Sequence, residues 1–146
     1  MGKVSTLTSC QKLPEFDMEI LLRERIIKYL VSKEKGNFAW KREDHSRGVE
    51  STYEISCAAR EVEVRYKIRL SRPSDKFVFR LCNVGFSEKN RRKGLLTGLM
   101  DVVKGFAPRM GIKALQVECP NTTAMQSWLK KNGYSEKTID IWEKEV

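Results

Sequence analysis

Between positions 62 and 70, apolar and charged residues alternate without a break. Val62, Val64, Tyr66, Ile68 and Leu70 are interleaved with Glu63, Arg65, Lys67 and Arg69. A side-chain period of two sends the apolar set to one face and the charged set to the other. This is the pattern of a half-buried strand in a sheet that keeps one face toward water. The constraint spreads to both sides. Residues 53–57 lie close enough upstream to pair with it as a hairpin. The tetrapeptide Arg72-Pro73-Ser74-Asp75 is a turn, and residues 76–86, KFVFRLCNVGF, make a third strand. Consecutive strands joined by short turns predict an antiparallel meander.

Helices flank this sheet in sequence. FDMEILLRERIIKYLVSKEKG carries Met18, Leu21, Leu22, Ile26 and Leu30 at helical spacing, with Gly36 as a stop signal. The polar stretch that follows, residues 37–51, reads as a loop with one short strand around 38–41. Downstream, Leu95, Leu99, Val102, Val103 and Phe106 share a helical face, which Pro108 and Gly111 are expected to end. A short strand, IKALQVE, comes next. NTTAMQSWLKKNGY is then a helix with Asn121 as its N-cap and Gly133 just past its end, and TIDIWEKEV adds a last strand. A length of 146 residues suits one domain spanning 1–146.

Composition narrows the classes. No apolar run is long enough to span a bilayer, and the first residues show no continuous apolar signal region, so a cytoplasmic protein without a membrane partner is expected. MGKVST satisfies the short myristoylation pattern at Gly2, which chance often produces. The four cysteines form no C-x-x-C pair and His45 is the only histidine, so no metal site is expected. The net charge of +9 is spread along the chain and favours an acidic partner: a polyphosphate, RNA or an acidic protein surface.

The basic stretch KNRRKGLLTGLM decides among these. It lies between a predicted strand and a predicted helix, where unpaired N–H groups and the helix dipole favour an anion. Gly94 allows close backbone approach, Arg91, Arg92 and Lys93 add charge, and Thr97 adds a hydroxyl. A pyrophosphate is the natural occupant. Neither the P-loop nor the dinucleotide glycine pattern is present.

In this order and spacing, the chain resembles the GNAT superfamily of acyl-CoA N-acyltransferases over roughly residues 77–134. The family's loop motif [QR]-x-x-G-x-[GA] corresponds to Arg91-Arg92-Lys93-Gly94-Leu95-Leu96. Its later segment corresponds to MGIKALQVE, then Asn121, Ala124 and Gly133-Tyr134. The resemblance implies an α/β fold: a mixed, mainly antiparallel sheet with helices on both faces and a splayed strand pair ending near Phe86 and Glu118. Acetyl-CoA would be the cosubstrate and an amine the acceptor. The pantetheine arm would lie along Val84 and Phe86. The pyrophosphate would lie on Arg91, Arg92, Lys93, Gly94, Leu96 and Thr97, with Asn121 and Trp128 beside the cofactor.

Three departures accompany it. Leu96 stands where the family prefers Gly or Ala. Trp128 stands where many members place an acidic tyrosine; a one-residue slip would put Leu129 there instead. Arg80 stands where some members carry a glutamate base. Glu118 is the remaining candidate base, and the Phe86 backbone N–H the candidate oxyanion donor. The acceptor could be a small molecule, a protein amine or aminoacyl-tRNA. For a large acidic partner, the candidates are Lys41, Arg42, Arg65, Lys67 and Arg69. A binding protein without turnover and a nucleic-acid-binding module are the rival classes, and a homodimer is compatible with the chain.

Overall fold

The computed structural model describes residues 15–45, 49–71, 76–87, 94–118, 120 and 122–146. Helix α1 (Asp17–Glu34) is followed by four strands in succession: β1 (Ala39–His45), β2 (Glu50–Cys57), β3 (Val62–Ser71) and β4 (Lys76–Gly85). Helix α2 (Leu95–Met110), β5 (Ile112–Glu118), α3 (Thr123–Lys131), β6 (Ser135–Thr138) and β7 (Ile141–Glu145) complete the chain. The strands form one seven-stranded sheet in the order β1-β2-β3-β4-β5-β7-β6. Only β4 and β5 are parallel; the other neighbours are antiparallel. This is the GNAT-like mixed sheet that the sequence resemblance implied.

The helices are placed differently from the expectation of both faces. Among the described residues all three share one face. Tyr53 stacks on Tyr66 and Tyr66 on Phe79, each pair with ring centroids 5.0 Å apart, and the Tyr53 hydroxyl hydrogen-bonds Glu19 of α1. Phe79 is level with Leu115 across the parallel pair. Leu115, Met100 of α2 and Trp128 of α3 line one small cavity. Topology requires this of α2 and α3. The β4–α2–β5 and β5–α3–β6 crossovers both step the same way across the sheet, and right-handed crossovers in one direction stack their helices on one side.

The alternation in β3 is realised as read: Val62, Val64, Tyr66 and Ile68 are buried. The segment expected to be mostly loop is instead a seven-residue strand, β1, paired along its whole length with β2. Its inward residues are Trp40 and Arg42. Arg42 is 5% exposed and is paired with Asp44 at 2.9 Å. Arg23 of α1 lies 3.7 Å over the Trp40 ring and pairs with Glu15. A charge paired within the strand itself, Arg42 with Asp44, made a buried strand look polar.

Two helix boundaries also differ. Helix α2 runs through Pro108 to Met110 and ends at Gly111, whose φ of 68° is left-handed. The N-cap of α3 is Thr122, whose hydroxyl accepts from the Met125 N–H at 3.1 Å. Asn121, expected in that role, lies outside the described residues.

Glu19 is 4% exposed. Burial raises its pKa above the ordinary 4.5, and the Tyr53 hydrogen bond and Arg42 offset this only in part. The folded state therefore holds this proton more tightly than the unfolded chain. Its contribution to stability is complete below the unfolded pKa and is lost as pH rises through the raised one. Glu19→Gln keeps an acceptor for Tyr53 and has no charge to desolvate. Its Tm relative to the parent protein should climb from pH 4 to pH 7 in paired thermal melts; a constant difference contradicts this account.

Candidate functional site

Strands β4 and β5 pair in parallel from Phe77/Ile112 to Leu81/Val117, and there the ladder stops. Strand β4 continues to Gly85 and β5 to Glu118. The cause lies on the other edge of β4. Tyr66 is opposite Leu81 but Arg65 is opposite Asn83, so Cys82 is an extra residue bulging from the ladder. A bulge bends its strand and strengthens the local twist, which turns the end of β4 away from β5. The opening is a slot of about 230 Å³. Leu81, Cys82, Asn83 and Val84 line it on one side, Val117 and Glu118 on the other, and Thr122 and Met125 close it from α3.

The segment joining β4 to α2 is held at both ends by α1. At its start, the Ser87 N–H and hydroxyl donate to the Glu34 carboxylate at 3.1 and 2.8 Å. At its end, the Tyr29 hydroxyl donates to the Leu95 carbonyl at 2.8 Å. Gly98 permits this contact: a Cβ there would sit 2.2 Å from the Tyr29 oxygen. Gly94 caps the N-terminus of α2 with a φ of 71°, a left-handed conformation that favours glycine, and the space where a Cβ would project is open. The helix therefore presents its unbonded N–H groups beside an unobstructed glycine, as an anion site needs. Arg91, Arg92 and Lys93 lie outside the described residues.

The other expected residues fall around these two features. Val84 lines the slot, while Phe86 lies just beyond β4; both pack partly buried against the core. The Leu96 side chain is also partly buried and packs against the core. Trp128 projects toward α2 and does not line the slot. Its indole N–H donates to the Thr97 hydroxyl at 2.9 Å, and its ring lies 5.7 Å from that of Tyr134. Burial, and then Asp101, push the Tyr134 phenol up to about 12, so it stays protonated near neutrality.

Glu118 is the one carboxylate on the slot among the described residues. Its Oε2 lies 3.5 Å from Arg80 Nη1 and 4.0 Å from Cys82 Sγ. Burial, and then the Glu118 charge, push the Cys82 thiol up to about 11. A thiol that remains protonated at neutral pH is a poor nucleophile. Sequence reading missed Cys82, Asn83, Thr122 and Met125 as slot residues, and Tyr29, Glu34 and Ser87 as braces. An antiparallel register can carry a bulge anywhere, so nothing in the string marked Cys82; Gly98, set among bulky apolar residues, was the one available sign of a close helix contact.

The basic stripe is largely neutralised. Arg42 is buried on the helix-covered face. On the open face, Lys41 and Arg65 both face Glu54, at 3.6 and 3.7 Å, and Lys67 faces Glu50 at 3.9 Å. Among the described residues no group of His, Cys, Asp and Glu could hold a metal, and no helix is long and apolar enough to cross a membrane.

No family model matches the sequence, and no curated protein matches it. Solved structures do. The structure of Naa50 from Arabidopsis thaliana in complex with a bisubstrate analogue is 11% identical, with a TM-score of 0.49, over 65% of this chain and 72% of that one. The PaiA N-acetyltransferase from Thermoplasma acidophilum, in complex with coenzyme A, is 13% identical with a TM-score of 0.48, over 85% and 71%. An acetyltransferase from Bacillus cereus ATCC 14579 is 14% identical with a TM-score of 0.47, over 92% and 96%. At such values the likeness concerns the chain's path alone.

The brace between α1 and α2 is testable by itself. Gly98→Ala drives a methyl into the Tyr29 side chain and should cost about 1–3 kcal/mol, as overpacking does. Adding Tyr29→Ala should recover part of that loss. Additive losses in denaturant unfolding would show that the two residues do not share this contact.

Proposed function

We propose that this chain, which has the GNAT fold, is an N-acyltransferase that moves an acetyl group from acetyl-CoA to a primary amine. The carrying observation is that the slot between β4 and β5 opens at the same end of the sheet as the glycine-capped N-terminus of α2. A long thioester with a pyrophosphate suits both features together. The pyrophosphate would sit on the α2 N–H groups at Gly94, with Arg91, Arg92, Lys93 and the Thr97 hydroxyl in support. The pantetheine would lie along Val84 and Phe86, where β4 has left its partner, with Asn121 near the arm and Trp128 holding the Thr97 hydroxyl toward the pyrophosphate.

The reaction joins the amine nitrogen to the acyl carbon and breaks the carbon–sulfur bond. Only a neutral amine attacks, so the ammonium must first lose a proton. Glu118, on the slot wall, is placed to attract the ammonium and to receive that proton directly or through water. The Phe86 N–H would stabilise the developing oxyanion. Coenzyme A leaves as a thiolate and takes up a proton from solvent. Holding both substrates in one slot supplies much of the acceleration. The protonated Cys82 argues against an acyl-cysteine step. The paired charges of the open face favour a small or protein-borne amine over tRNA.

A second reading, an acyl-CoA-binding protein without turnover, has one observation in its favour: Trp128 is bonded to Thr97, and among the described residues no tyrosine lines the slot. Thiol release in the presence of amines decides between the two.

Two substitutions test the proposal. Gly94→Asp and Gly94→Asn impose the same backbone demand, since both side chains tolerate left-handed φ. Only aspartate adds a charge against the pyrophosphate. Calorimetry with acetyl-CoA should show at least a tenfold weaker Kd for Asp than for Asn, and equal affinities would remove the phosphate cradle. Trp128→Phe removes an N–H that is no acid near neutral pH. It should leave kcat within a few-fold while weakening acetyl-CoA binding; a collapse of kcat at saturating acetyl-CoA would assign the indole a role in the chemistry.

A further inference from the structure

The face of the sheet opposite the helices carries a cavity of about 440 Å³ that none of the described helices covers. Its volume lies within the range of small-molecule sites. Its floor is a fixed polar chain. Arg80 Nε donates to Gln116 Oε1 at 2.9 Å, Gln116 Nε2 donates to Glu143 Oε1 at 2.7 Å, and Lys137 Nζ reaches the same oxygen at 3.1 Å. Gln116 is 5% exposed and bonded at both ends of its amide, so its orientation is set before any ligand arrives. Leu70, Val78 and Ile141 supply apolar walls.

The charges in this cavity do not balance. Arg69, Arg80, Lys113 and Lys137 line it against the single carboxylate of Glu143. Arg80 and Lys137 are engaged in the floor. Arg69 and Lys113 are exposed and make no ion pair among the described residues. Arg80 stands between this cavity and the slot: it lines the cavity and also reaches Glu118 of the slot at 3.5 Å. Glu118, just past Arg80, thus offers a carboxylate beside the proposed acyl position, and the far end of the cavity offers two cations that make no ion pair among the described residues.

We infer that this cavity binds the acceptor, and that the acceptor is a small primary amine carrying a terminal anion, its nitrogen at Glu118 and its anion at Arg69 and Lys113. The inference rests on the acyltransferase reading. Arg69 is level with Ala114, four residues before Glu118 on β5, and Lys113 is five before it. The backbone separation is roughly 13–17 Å at about 3.3 Å per residue, and the long Arg69 and Lys113 side chains shorten the gap to be bridged. The apolar walls suit a carbon chain across that gap. In the transfer, the nitrogen gains the acyl group and loses its proton to Glu118 or water, the carbon–sulfur bond breaks, and the distal anion is unchanged.

The test uses the full chain and three probes of one length: 8-aminooctanoate, 8-aminooctyl phosphate and neutral 8-aminooctanamide. Acetyl-CoA binding is measured first, alone, by calorimetry; its absence overturns the acyltransferase reading and with it this inference. With acetyl-CoA bound, thiol release should show kcat/KM at least tenfold higher for an anionic probe than for the amide. The carboxylate and phosphate arms identify which anion is read. Arg69→Gln combined with Lys113→Gln should abolish the preference while leaving acetyl-CoA affinity and amide turnover unchanged. Binding of the probes without acetyl-CoA, followed by the Gln116 side-chain amide signals in NMR, is a readout independent of turnover. Normal acetyl-CoA binding with equal use of all three probes, or with no perturbation of Gln116, overturns the acceptor assignment and leaves the acyltransferase reading standing.

Discussion

The separation of β4 from β5 after Leu81 and Val117 is the constraint on which the rest of the site depends. A continuous parallel ladder would leave no slot, and nothing could lie between the strands. The break has a local cause in the extra residue at Cys82, which β3 accommodates by skipping a position between Arg65 and Tyr66. Bulging leaves backbone unpaired and bends the strand. In return, β4 keeps its pairing with β3 through Gly85 while its other edge is released. The strand is thus rigid on one side and available on the other.

Helix α1 gives that opening a fixed shape. Glu34 and Tyr29 hold the two ends of the segment between β4 and α2, and both anchors come from the last turns of one helix. The other half of α1 rests on a polar core. Glu19 and the Tyr53 hydroxyl meet beneath it, with the Arg23–Glu15 pair alongside. Tyr66, stacked between Tyr53 and Phe79, has a buried hydroxyl with no hydrogen-bond partner among the described residues. An unpaired hydroxyl of this kind costs stability, whereas the Glu19–Tyr53 bond and the Arg23–Glu15 pair tie α1 to one position over the sheet. The helix that braces the loop is therefore itself held by directional bonds as well as by apolar contact.

Gathering the described helices on one face leaves the other as a charged sheet surface. Over β1 to β3 its cross-strand pairs cancel, and exposed pairs of this kind contribute little to stability. Over β3 to β7 the cancellation fails, and the surplus is positive around a concave floor. The +9 charge of the chain thus has at least two local expressions: a basic approach to the α2 N-terminus in sequence, and an uncompensated rim on the open face.

By itself the sequence determined the parts of this protein that depend on local period and local backbone demand. The alternation at 62–70 could only be a half-buried strand, the apolar spacing at 95–106 a helix against a core, and Gly94 a residue at a strand–helix junction that lets the backbone approach a ligand closely. These signals are carried by neighbours along the chain. What tertiary structure decided was everything that depends on partners from elsewhere. Arg42 is inside because, beyond its pair with Asp44 on the same strand, Ser51 of β2 bonds both residues across the β1–β2 ladder, so a polar string became a buried strand. Trp128 turns to Thr97 because α3 lies beside α2, and that follows from the handedness of two crossovers, which no side chain encodes. Glu118 was visible as a carboxylate at a strand end. Its position on a slot, between Arg80 and Cys82, exists only because β4 and β5 part company, and that parting comes from a register shift between strands, which only the assembled sheet contains.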